Sequence, residues 1–256
     1  MKTLILPTDF SELSKKALEF AIALADQFNA GIMPVHSYSI PHTSETFSTS
    51  LVEMLRKNAE ESMEEFLKLV PTSIPCQSKV SPFPIREELQ TLSKDRENSW
   101  IIMATHGEQD WWDHQLGTNA SHLINALDVP VFLVPANAEI KTPIRHILVT
   151  TDGREMTDNV RAKFLDIKAT LKASSQALQV VASESEEGDG IYEGMPLYKL
   201  FHENFQGGLL EAEEIIHPEL TLAVHHKRKW FESLFHSSAT KELALKHPGP
   251  IVVLHE

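Results

Sequence analysis

The sequence predicts an α/β protein of two tandem doubly wound domains, each with a mainly parallel five-stranded sheet flanked by helices. Short apolar runs alternate with segments of helical periodicity through the first half of the chain, and the pattern begins again near residue 144. Parallel strands joined by helices imply right-handed crossovers and a sheet covered on both faces. The predicted domains cover residues 1–137 and 144–256, and the polar segment NAEIKTPIR links them.

The first elements follow from short patterns. TLILPTD is an apolar run closed by Pro7 and Asp9, typical of a strand buried on both faces. SELSKKALEFAIALADQFN has apolar residues at helical spacing, and Ser11 is its predicted N-cap, a role that Ser14 and Asp9 could share. GIMPVHSYSI is predicted to be the second strand, where Pro34 favours an edge or a bulge because proline has no N–H to donate.

The rest of the first repeat continues the alternation of strands and helices. We predict a charged helix around residues 51–70, then KVSPF as a strand, IREELQTLSKD as a helix, SWIIMAT as a strand, NASHLINAL as a helix and VPVFLVP as the fifth strand. Ligands of such sheets bind beyond the carboxyl ends of the strands. We therefore expect PTDFS, HSYS, ATHG and the helix start GTN to meet at one rim.

The second repeat mirrors the first. IRHILVTTDGRE corresponds to KTLILPTDFSE, so that Asp152 matches Asp9 at an offset of 143 (152 − 9). Further along, Ala223 matches Ala104 at an offset of 119 (223 − 104), so the second repeat is 24 residues shorter (143 − 119). The missing residues fall near its middle, where SESEEGDGIYEGMP is predicted to be an acidic loop.

Charge and composition argue against several classes of function. The chain has 23 basic and 36 acidic residues, and its net charge of −13 opposes binding to nucleic acids. No apolar stretch is long enough to span a bilayer, and nothing resembles a signal peptide. The single cysteine, Cys76, fits a reducing compartment. We expect a cytoplasmic protein that binds neither nucleic acid nor membrane, with Cys76 as an inert thiol.

The motifs of the two repeats resemble those of the universal stress protein family in its tandem two-domain form. The resemblance rests on PTDFSE after the first strand, on His36 near the end of the second, and on the order strand, ATHG, nine residues, GT, helix and PVFLVP. Nucleotide-binding members of the family carry G-x2-G-x9-G-[ST], and this sequence has Ala104, Gly107, Gly117 and Thr118 at that spacing. The resemblance implies a Rossmann-like fold, similar to the adenine nucleotide alpha hydrolases, whose terminal strands pair domains or subunits.

The resemblance also implies an adenine-nucleotide site, for ATP, ADP or AMP, in the first domain. Gly117, Thr118 and Asn119 would begin a helix whose free N–H groups favour a phosphate, and Gly107 permits close approach of a ligand. Asp9 is placed to accept hydrogen bonds from ribose hydroxyls or from an adenine amine. The implied lining residues are Pro7, Thr8, Asp9, Ser37, Met103, Gly107, Gly117, Thr118 and Asn119.

Structural interpretations compete with these functional ones. Asp9 is also a good helix cap, and residues 117–119 could be only a turn and a cap. His36 is expected to be a buried, hydrogen-bonded histidine rather than a ligand or base. Met103 is expected to face the core at its strand end.

The charge of the loop at residues 104–118 limits the chemistry expected there. It contains no lysine or arginine, and its acids are Glu108, Asp110 and Asp113. These acids oppose a triphosphate unless a divalent cation such as Mg²⁺ offsets them, with Asp110 or Asp113 as outer ligands. Phosphoryl transfer needs cations to neutralise developing charge, and the chain has no recognised catalytic motif. We therefore expect no catalytic residues, and at most slow ATP hydrolysis.

The second repeat has lost this motif. Its glycine positions hold His226 and His236, followed by Ser237, so a structural second domain is expected. The spacing of its histidines matches no common metal site, and no metal is expected.

Two further functions stay open beside a nucleotide-binding stress protein. One is a nucleotide-free scaffold that contacts a protein partner through Trp111-Trp112, and the other is a slow hydrolase. We expect the two domains to pair as an internal pseudo-dimer through VPVFLVP and PIVVLHE, and a homodimer of the whole chain stays open.

Overall fold

The structure is a computed structural model that describes residues 1–38, 49–94, 98–105, 127–225 and 249–255. Its contacts divide the chain into two compact units, one containing Met1–Ala104 and the other containing Pro130–Glu256. The last strand of the first repeat, Val131–Pro135, therefore belongs to the second unit. The domain limits expected from the sequence repeats, 1–137 and 144–256, stay a prediction.

The first unit is a parallel sheet with helices between its strands, as the alternation of patterns predicts. Its strands occur in the order β3-β2-β1-β4. The elements are β1 Thr3–Pro7, α1 Glu12–Phe28, β2 Gly31–Ser37, α2 Thr49–Leu67, β3 Lys79–Ser81, α3 Ile85–Leu92 and β4 Ser99–Thr105. The helix predicted at NASHLINAL lies outside the described residues.

Local signals define the ends of α1. The hydroxyl of Ser11 accepts a hydrogen bond from the Ser14 N–H at 3.2 Å, which confirms the predicted N-cap. The helix ends at Asn29, which adopts the left-handed conformation with φ 58°. The apolar face of the helix packs on the core, and its buried apolar residues are Leu13, Ala17, Leu18, Phe20, Ala21, Leu24 and Ala25. The capped start fixes where the chain leaves the end of β1.

The strand that contains Pro34 is not an edge strand. β2 pairs with β1 on one side without a bulge and with β3 on the other, so the predicted edge or bulge is wrong. Ile32 bonds through its carbonyl to Gln77 N–H at 3.1 Å, and Pro34, two residues on, faces the same side. Pairing with β3 begins only where Val35 meets Lys79. The bridge of Ile32 with Cys76 and the pairing of Val35 with Lys79 share one register, and the gap between them falls where Pro34 has no N–H to donate. One ladder bond is missing there, and the strand is paired on both sides of it.

The second unit contains a larger sheet, in the order β5-β11-β10-β6-β7-β9-β8. Its pairs are parallel except for β5 with β11 and β8 with β9. The strands are β5 Val131–Pro135, β6 His146–Thr150, β7 Ser174–Val181, β8 Gly188–Tyr192, β9 Met195–Phe201, β10 Leu220–His225 and β11 Ile251–His255, and the helices are α4 Asp158–Leu171 and α5 Phe205–Ile216.

The acidic segment SESEEGDGIYEGMP is a hairpin rather than the predicted loop. A short 3₁₀ helix, Glu184–Glu186, leads into β8, which pairs antiparallel with β9. Glu193 and Gly194 join the strands with φ 50° and 74°, the positive values that a tight two-residue hairpin turn requires. β8 has little apolar pattern of its own and forms because β9 pairs with it. The second repeat thus has one strand more than the five expected, counted over the described residues.

The terminal strands of the two repeats pair with each other. β5 and β11 run antiparallel, with Phe132 opposite Val252, Val131 opposite Val253 and Leu133 opposite Ile251. Phe132 and Val252 are equivalent positions, each two residues after the matching Pro130 and Pro250. Equivalent residues therefore lie opposite one another, the arrangement that twofold symmetry produces locally. This is the strand pairing that the family resemblance implies.

Two further predictions concern membranes and the cysteine. Among the helices that the structure describes, none combines the length and the apolar character needed to cross a membrane. Cys76 forms an isolated bridge with Ile32 and is half-buried. Burial raises the pKa of its thiol above the ordinary value, so the less reactive protonated form dominates at neutral pH.

Candidate functional site

The carboxyl ends of β1, β2 and β3 meet at one rim of the first unit. Thr8, directly after β1, donates its N–H to the carbonyl of Val35 in β2 at 2.9 Å. Ser37, the last residue of β2, lies opposite Ser81, the last residue of β3. The convergence of PTDFS and HSYS expected from the topology is thus seen in the described part of the chain.

Asp9 is held at this rim by the start of α1. Its Oδ1 accepts hydrogen bonds from the Ser11 N–H at 3.0 Å and from the Ser14 hydroxyl at 2.6 Å, and the Asp9 N–H donates to Ser14 Oγ at 3.2 Å. No partner of Oδ2 is found among the described residues. Burial raises the pKa of Asp9, but the bonds from Ser11 and Ser14 lower it by more, so the net pKa lies below the ordinary 3.8. Asp9 is therefore anionic at neutral pH, and Oδ2 is its available acceptor in the described structure.

Both interpretations of Asp9 fit this geometry in part. The bonds to Ser11 and Ser14 are those of a residue that orders a helix start. They occupy one carboxylate oxygen and leave the other for a ligand. The structural role is therefore observed, and the ligand role stays a prediction.

Phe10, which sequence reasoning did not single out, shapes the rim beside Asp9. Its φ is 66°, a left-handed value that is uncommon for a residue with a large side chain. The Phe10 N–H donates to Thr8 Oγ1 at 2.9 Å, and its ring lies 4.4 Å from the His36 ring and 5.7 Å from the Phe66 ring. Two aromatic contacts and a tight turn hold the backbone in this conformation.

His36 is fixed by the same turn. Its Nδ1 lies 2.8 Å from the Thr8 carbonyl, and since a carbonyl only accepts, Nδ1 carries the proton. His36 is hydrogen-bonded as expected, but it is half-buried rather than buried.

The end of β3 adds two residues to the rim that the sequence did not point to. The Ser37 hydroxyl donates to the Phe83 carbonyl at 2.5 Å, and the Phe83 N–H donates to Ser81 Oγ at 3.2 Å. Ser81 in turn donates to the buried carboxylate of Glu88 at 2.5 Å, and Lys79 forms an ion pair with the same carboxylate. The only sequence signal was SPFP, an aromatic residue between two prolines directly after a strand.

The remaining expected site residues fall into two groups. Pro7 ends β1, and Met103, in β4, is 1% exposed, so the Met103 side chain faces the core as expected. Ala104, the first position of the motif, is also buried. Gly107, Gly117, Thr118 and Asn119 lie outside the described residues, as do Trp111-Trp112 and the acids of the same loop.

The second unit repeats two hydrogen bonds of the turn that follows its first strand. Gly153 N–H donates to Thr151 Oγ1 at 3.0 Å, and Arg154 N–H donates to Asp152 Oδ1 at 3.1 Å. Gly153 has φ 90° at the position equivalent to Phe10. The internal repeat therefore extends to the hydrogen bonds of the rim.

In this second turn the carboxylate of Asp152 is bound by a side chain of the protein, that of Arg154. Arg154 Nε donates to Asp152 Oδ2 at 2.7 Å, and its Nη2 contacts the same oxygen. This is the oxygen equivalent to Asp9 Oδ2, and the first repeat has a serine, Ser11, where the second has Arg154.

The β8–β9 hairpin also packs against this turn. Tyr192 donates its hydroxyl to the Arg154 carbonyl at 2.8 Å. Glu193 accepts from the Met156 N–H at 2.9 Å and from Arg161 Nε at 2.8 Å. Its pKa is lowered, first by the bonds from Arg161, so Glu193 stays ionised in this ion pair at neutral pH. Side chains of the protein therefore cover the turn at Asp152, the position in the second unit that is equivalent to Asp9 in the first.

The described residues contain no group of three or more His, Cys, Asp or Glu that could hold a metal ion. His226, His236 and Ser237 of the degenerate motif lie outside them.

Comparison with known proteins agrees with the fold and the repeat. Residues 1–135 match the family model of the universal stress protein family. A universal stress protein from Archaeoglobus fulgidus DSM 4304 is similar over 99% of this chain and 96% of that chain, with 16% identity and a TM-score of 0.69. No curated protein sequence matches the chain significantly.

Two other solved structures are similar to this chain. The cytoplasmic domain of a prokaryotic cation chloride cotransporter matches over 98% of this chain and 94% of that chain, with 10% identity and a TM-score of 0.50. A universal stress protein solved in complex with cAMP matches over 52% of this chain and 96% of that chain, with 18% identity and a TM-score of 0.37. The fold alone does not assign a function. The family model, however, covers 135 of the 256 residues, and the chain belongs to the universal stress protein family.

Proposed function

We propose that the first unit binds an adenine nucleotide (ATP, ADP or AMP) at the rim formed by the ends of β1 and β2. The observation that carries this proposal is the geometry of Asp9, whose Oδ1 is held by Ser11 and Ser14 while Oδ2 has no partner among the described residues. A preorganised anionic acceptor at the end of a buried strand suits ribose hydroxyls, which are hydrogen-bond donors.

Two neighbouring groups extend the proposed site. Ser37 donates its proton to the Phe83 carbonyl, so its oxygen presents lone pairs to a donor such as an adenine amine. Thr8 contributes through its backbone, which is bonded to Val35 and His36, so the residues beside Asp9 are fixed before any ligand arrives. The proposed phosphate contacts come from the sequence motif at Gly107 and at residues 117–119.

The acidic loop sets the expected strength of phosphate binding. A carboxylate about 4 Å from a phosphate costs about 4 kcal/mol at an effective dielectric constant near 20, before screening by salt. Since the motif supplies no lysine or arginine, we propose that AMP binds at least as well as ATP unless Mg²⁺ is present. For the same reason we propose no catalytic role beyond, at most, slow ATP hydrolysis.

We propose that the second unit is structural. Arg154 occupies the carboxylate of Asp152, and Tyr192 and Glu193 pack over the same turn. A nucleotide there would have to displace an ion pair and a hairpin turn. The pairing of β5 with β11 supports a role in holding the two repeats together as an internal pseudo-dimer. We further propose that the protein acts in the cytoplasm as part of a stress response.

The proposal is tested by titration calorimetry and thermal-shift measurements with ATP, ADP and AMP, each with and without magnesium. We expect saturable binding of one nucleotide per chain, together with background phosphate release. No response at millimolar nucleotide would overturn the proposal. A flat nucleotide response combined with a protein pull-down that Trp111→Ala/Trp112→Ala abolishes would favour the scaffold instead.

A further inference from the structure

Phe83 is an exposed aromatic side chain at the rim of the candidate site. It is 58% exposed, although it lies two residues after β3 and its backbone is bonded to two rim residues. Its N–H donates to Ser81 and its carbonyl accepts from Ser37. An isolated exposed apolar residue needs no explanation. This one, however, is fixed beside a residue of the proposed nucleotide site.

The backbone on either side of Phe83 is stiff. Pro82 precedes it and Pro84 follows it, and proline fixes its own φ and restricts the residue before it. Together with the bonds to Ser37 and Ser81, this leaves mainly the two side-chain torsions of Phe83 to be ordered when a ligand binds. An aromatic ring on so stiff a support loses little entropy on binding.

The ends of β1, β2 and β3 lie side by side along the rim in that order. The rim runs β4, β1, β2, β3, and neighbouring strands lie about 4.8 Å apart, so the ends of β1 and β3 are separated by about 10 Å. Asp9 follows β1, Ser37 ends β2 and Phe83 follows β3. With the ribose at Asp9, a base that extends along the rim in the direction of β2 lies over Ser37 and reaches Phe83.

We propose that Phe83 is a specificity-determining residue of this site, on whose ring the purine base of the nucleotide stacks. This proposal rests on the proposed nucleotide function and adds to it a preference for ligands with an aromatic base. Stacking is sequence-tolerant because every base has a π face. Phe83 therefore contributes affinity for the base, while Ser37 distinguishes the groups at its edge.

The experiment compares a ligand that has a base with one that lacks it. Calorimetry measures the dissociation constants of AMP and of ribose 5-phosphate for the wild type, Phe83→Ala, Phe83→Leu and Phe83→Trp. The control Leu69→Ala removes another exposed apolar side chain of the same unit, 47% exposed, away from the β3 end. Since Phe83 is exposed, none of its variants should impair folding, and urea unfolding checks this.

We expect Phe83→Ala and Phe83→Leu to weaken AMP binding about tenfold, within the range known for base–aromatic stacking, and Phe83→Trp to retain it. Ribose 5-phosphate should bind all variants equally, and Leu69→Ala should match the wild type. Unchanged AMP affinity in Phe83→Ala overturns the stacking role and leaves the proposed function intact. Retained affinity in Phe83→Leu, or an equal loss for ribose 5-phosphate, also overturns it. A wild type that binds no AMP overturns both proposals.

Discussion

The substitution Asp9→Ala separates the two roles of this carboxylate. In the structure one oxygen accepts from Ser11 and Ser14, and the other has no partner among the described residues. A structural role therefore predicts a loss of stability alone. A ligand role predicts an additional loss of nucleotide affinity.

The expected magnitudes follow from the bonds. The carboxylate of Asp9 lies at the start of α1 and accepts two hydrogen bonds. Removing it should lower the free energy of unfolding by about 1–2 kcal/mol at neutral pH. Losing a hydrogen bond from a ribose hydroxyl to a charged acceptor should weaken binding by about 1.5–3 kcal/mol, or about 10- to 150-fold in Kd.

The stability that Asp9 contributes should decrease as the pH falls. Because the pKa of Asp9 in the folded state lies below 3.8, the stability from its ionised form is present at higher pH and is lost as the pH falls through the folded-state pKa. The difference in unfolding free energy between wild type and Asp9→Ala should therefore shrink below pH 3.8.

Urea unfolding and AMP calorimetry measure the two effects on the same samples. Asp152→Ala is the matched control, since Asp152 Oδ1 accepts from the Arg154 N–H as Asp9 Oδ1 accepts from the Ser11 N–H, but Asp152 Oδ2 is paired with Arg154 on the surface. An exposed ion pair contributes at most about 1 kcal/mol, and the control should not change AMP affinity. If Asp9→Ala loses stability but binds AMP like the wild type, Asp9 is a helix cap only. If it changes neither quantity, the reasoning about its bonds is wrong.

Three further substitutions test the surrounding structure. Gly153→Ala should destabilise the protein by about 1–2 kcal/mol in urea unfolding, because φ is 90° and the added methyl would lie 2.9 Å from the Gln179 side chain; an unchanged midpoint would contradict the left-handed turn. Glu193→Gln should lower the melting temperature at neutral pH, because it weakens the bonds from Arg161. Since the pKa of Glu193 is lowered below 4.5, the difference in melting temperature from the wild type should shrink at lower pH. A difference that persists in acid would refute the charge argument. Trp100→Ala should cost about 3–5 kcal/mol, because the ring is 1% exposed; a loss within error of zero would mean that Trp100 is not part of the core.

Most of the first unit could be predicted from local patterns. The strand TLILP, the Ser11 cap and the helix after it depend on residues within a few positions of each other, and the structure confirms them. Pro34 shows where local reasoning fails. Whether its strand lies at an edge depends on the segment around residues 75–79, which pairs with β2 on both sides of Pro34 and lies some 40 residues away along the chain (75 − 34 = 41).

The prediction of a loop at SESEEGDGIYEGMP was wrong for a similar reason. Its glycines and acids have the composition of a loop, and β8 is a strand because β9 supplies its hydrogen-bond partners. Phe10 carried no signal in its own segment either, since phenylalanine disfavours a positive φ. Alignment with Gly153 in the second repeat is the one clue that the sequence contained.

The sequence by itself determined the fold class, the repeat and the rim at which polar residues gather, because periodicity, caps and strand ends are local properties. Only the tertiary structure distinguished the two equivalent carboxylates. Asp9 and Asp152 follow matching strands, and each accepts a hydrogen bond at Oδ1 from the N–H two residues further on. Arg154 neutralises Asp152 and the β8–β9 hairpin packs over its turn, whereas the bonds of Asp9 leave one oxygen available. The availability of that oxygen depends on how distant segments pack around the turn.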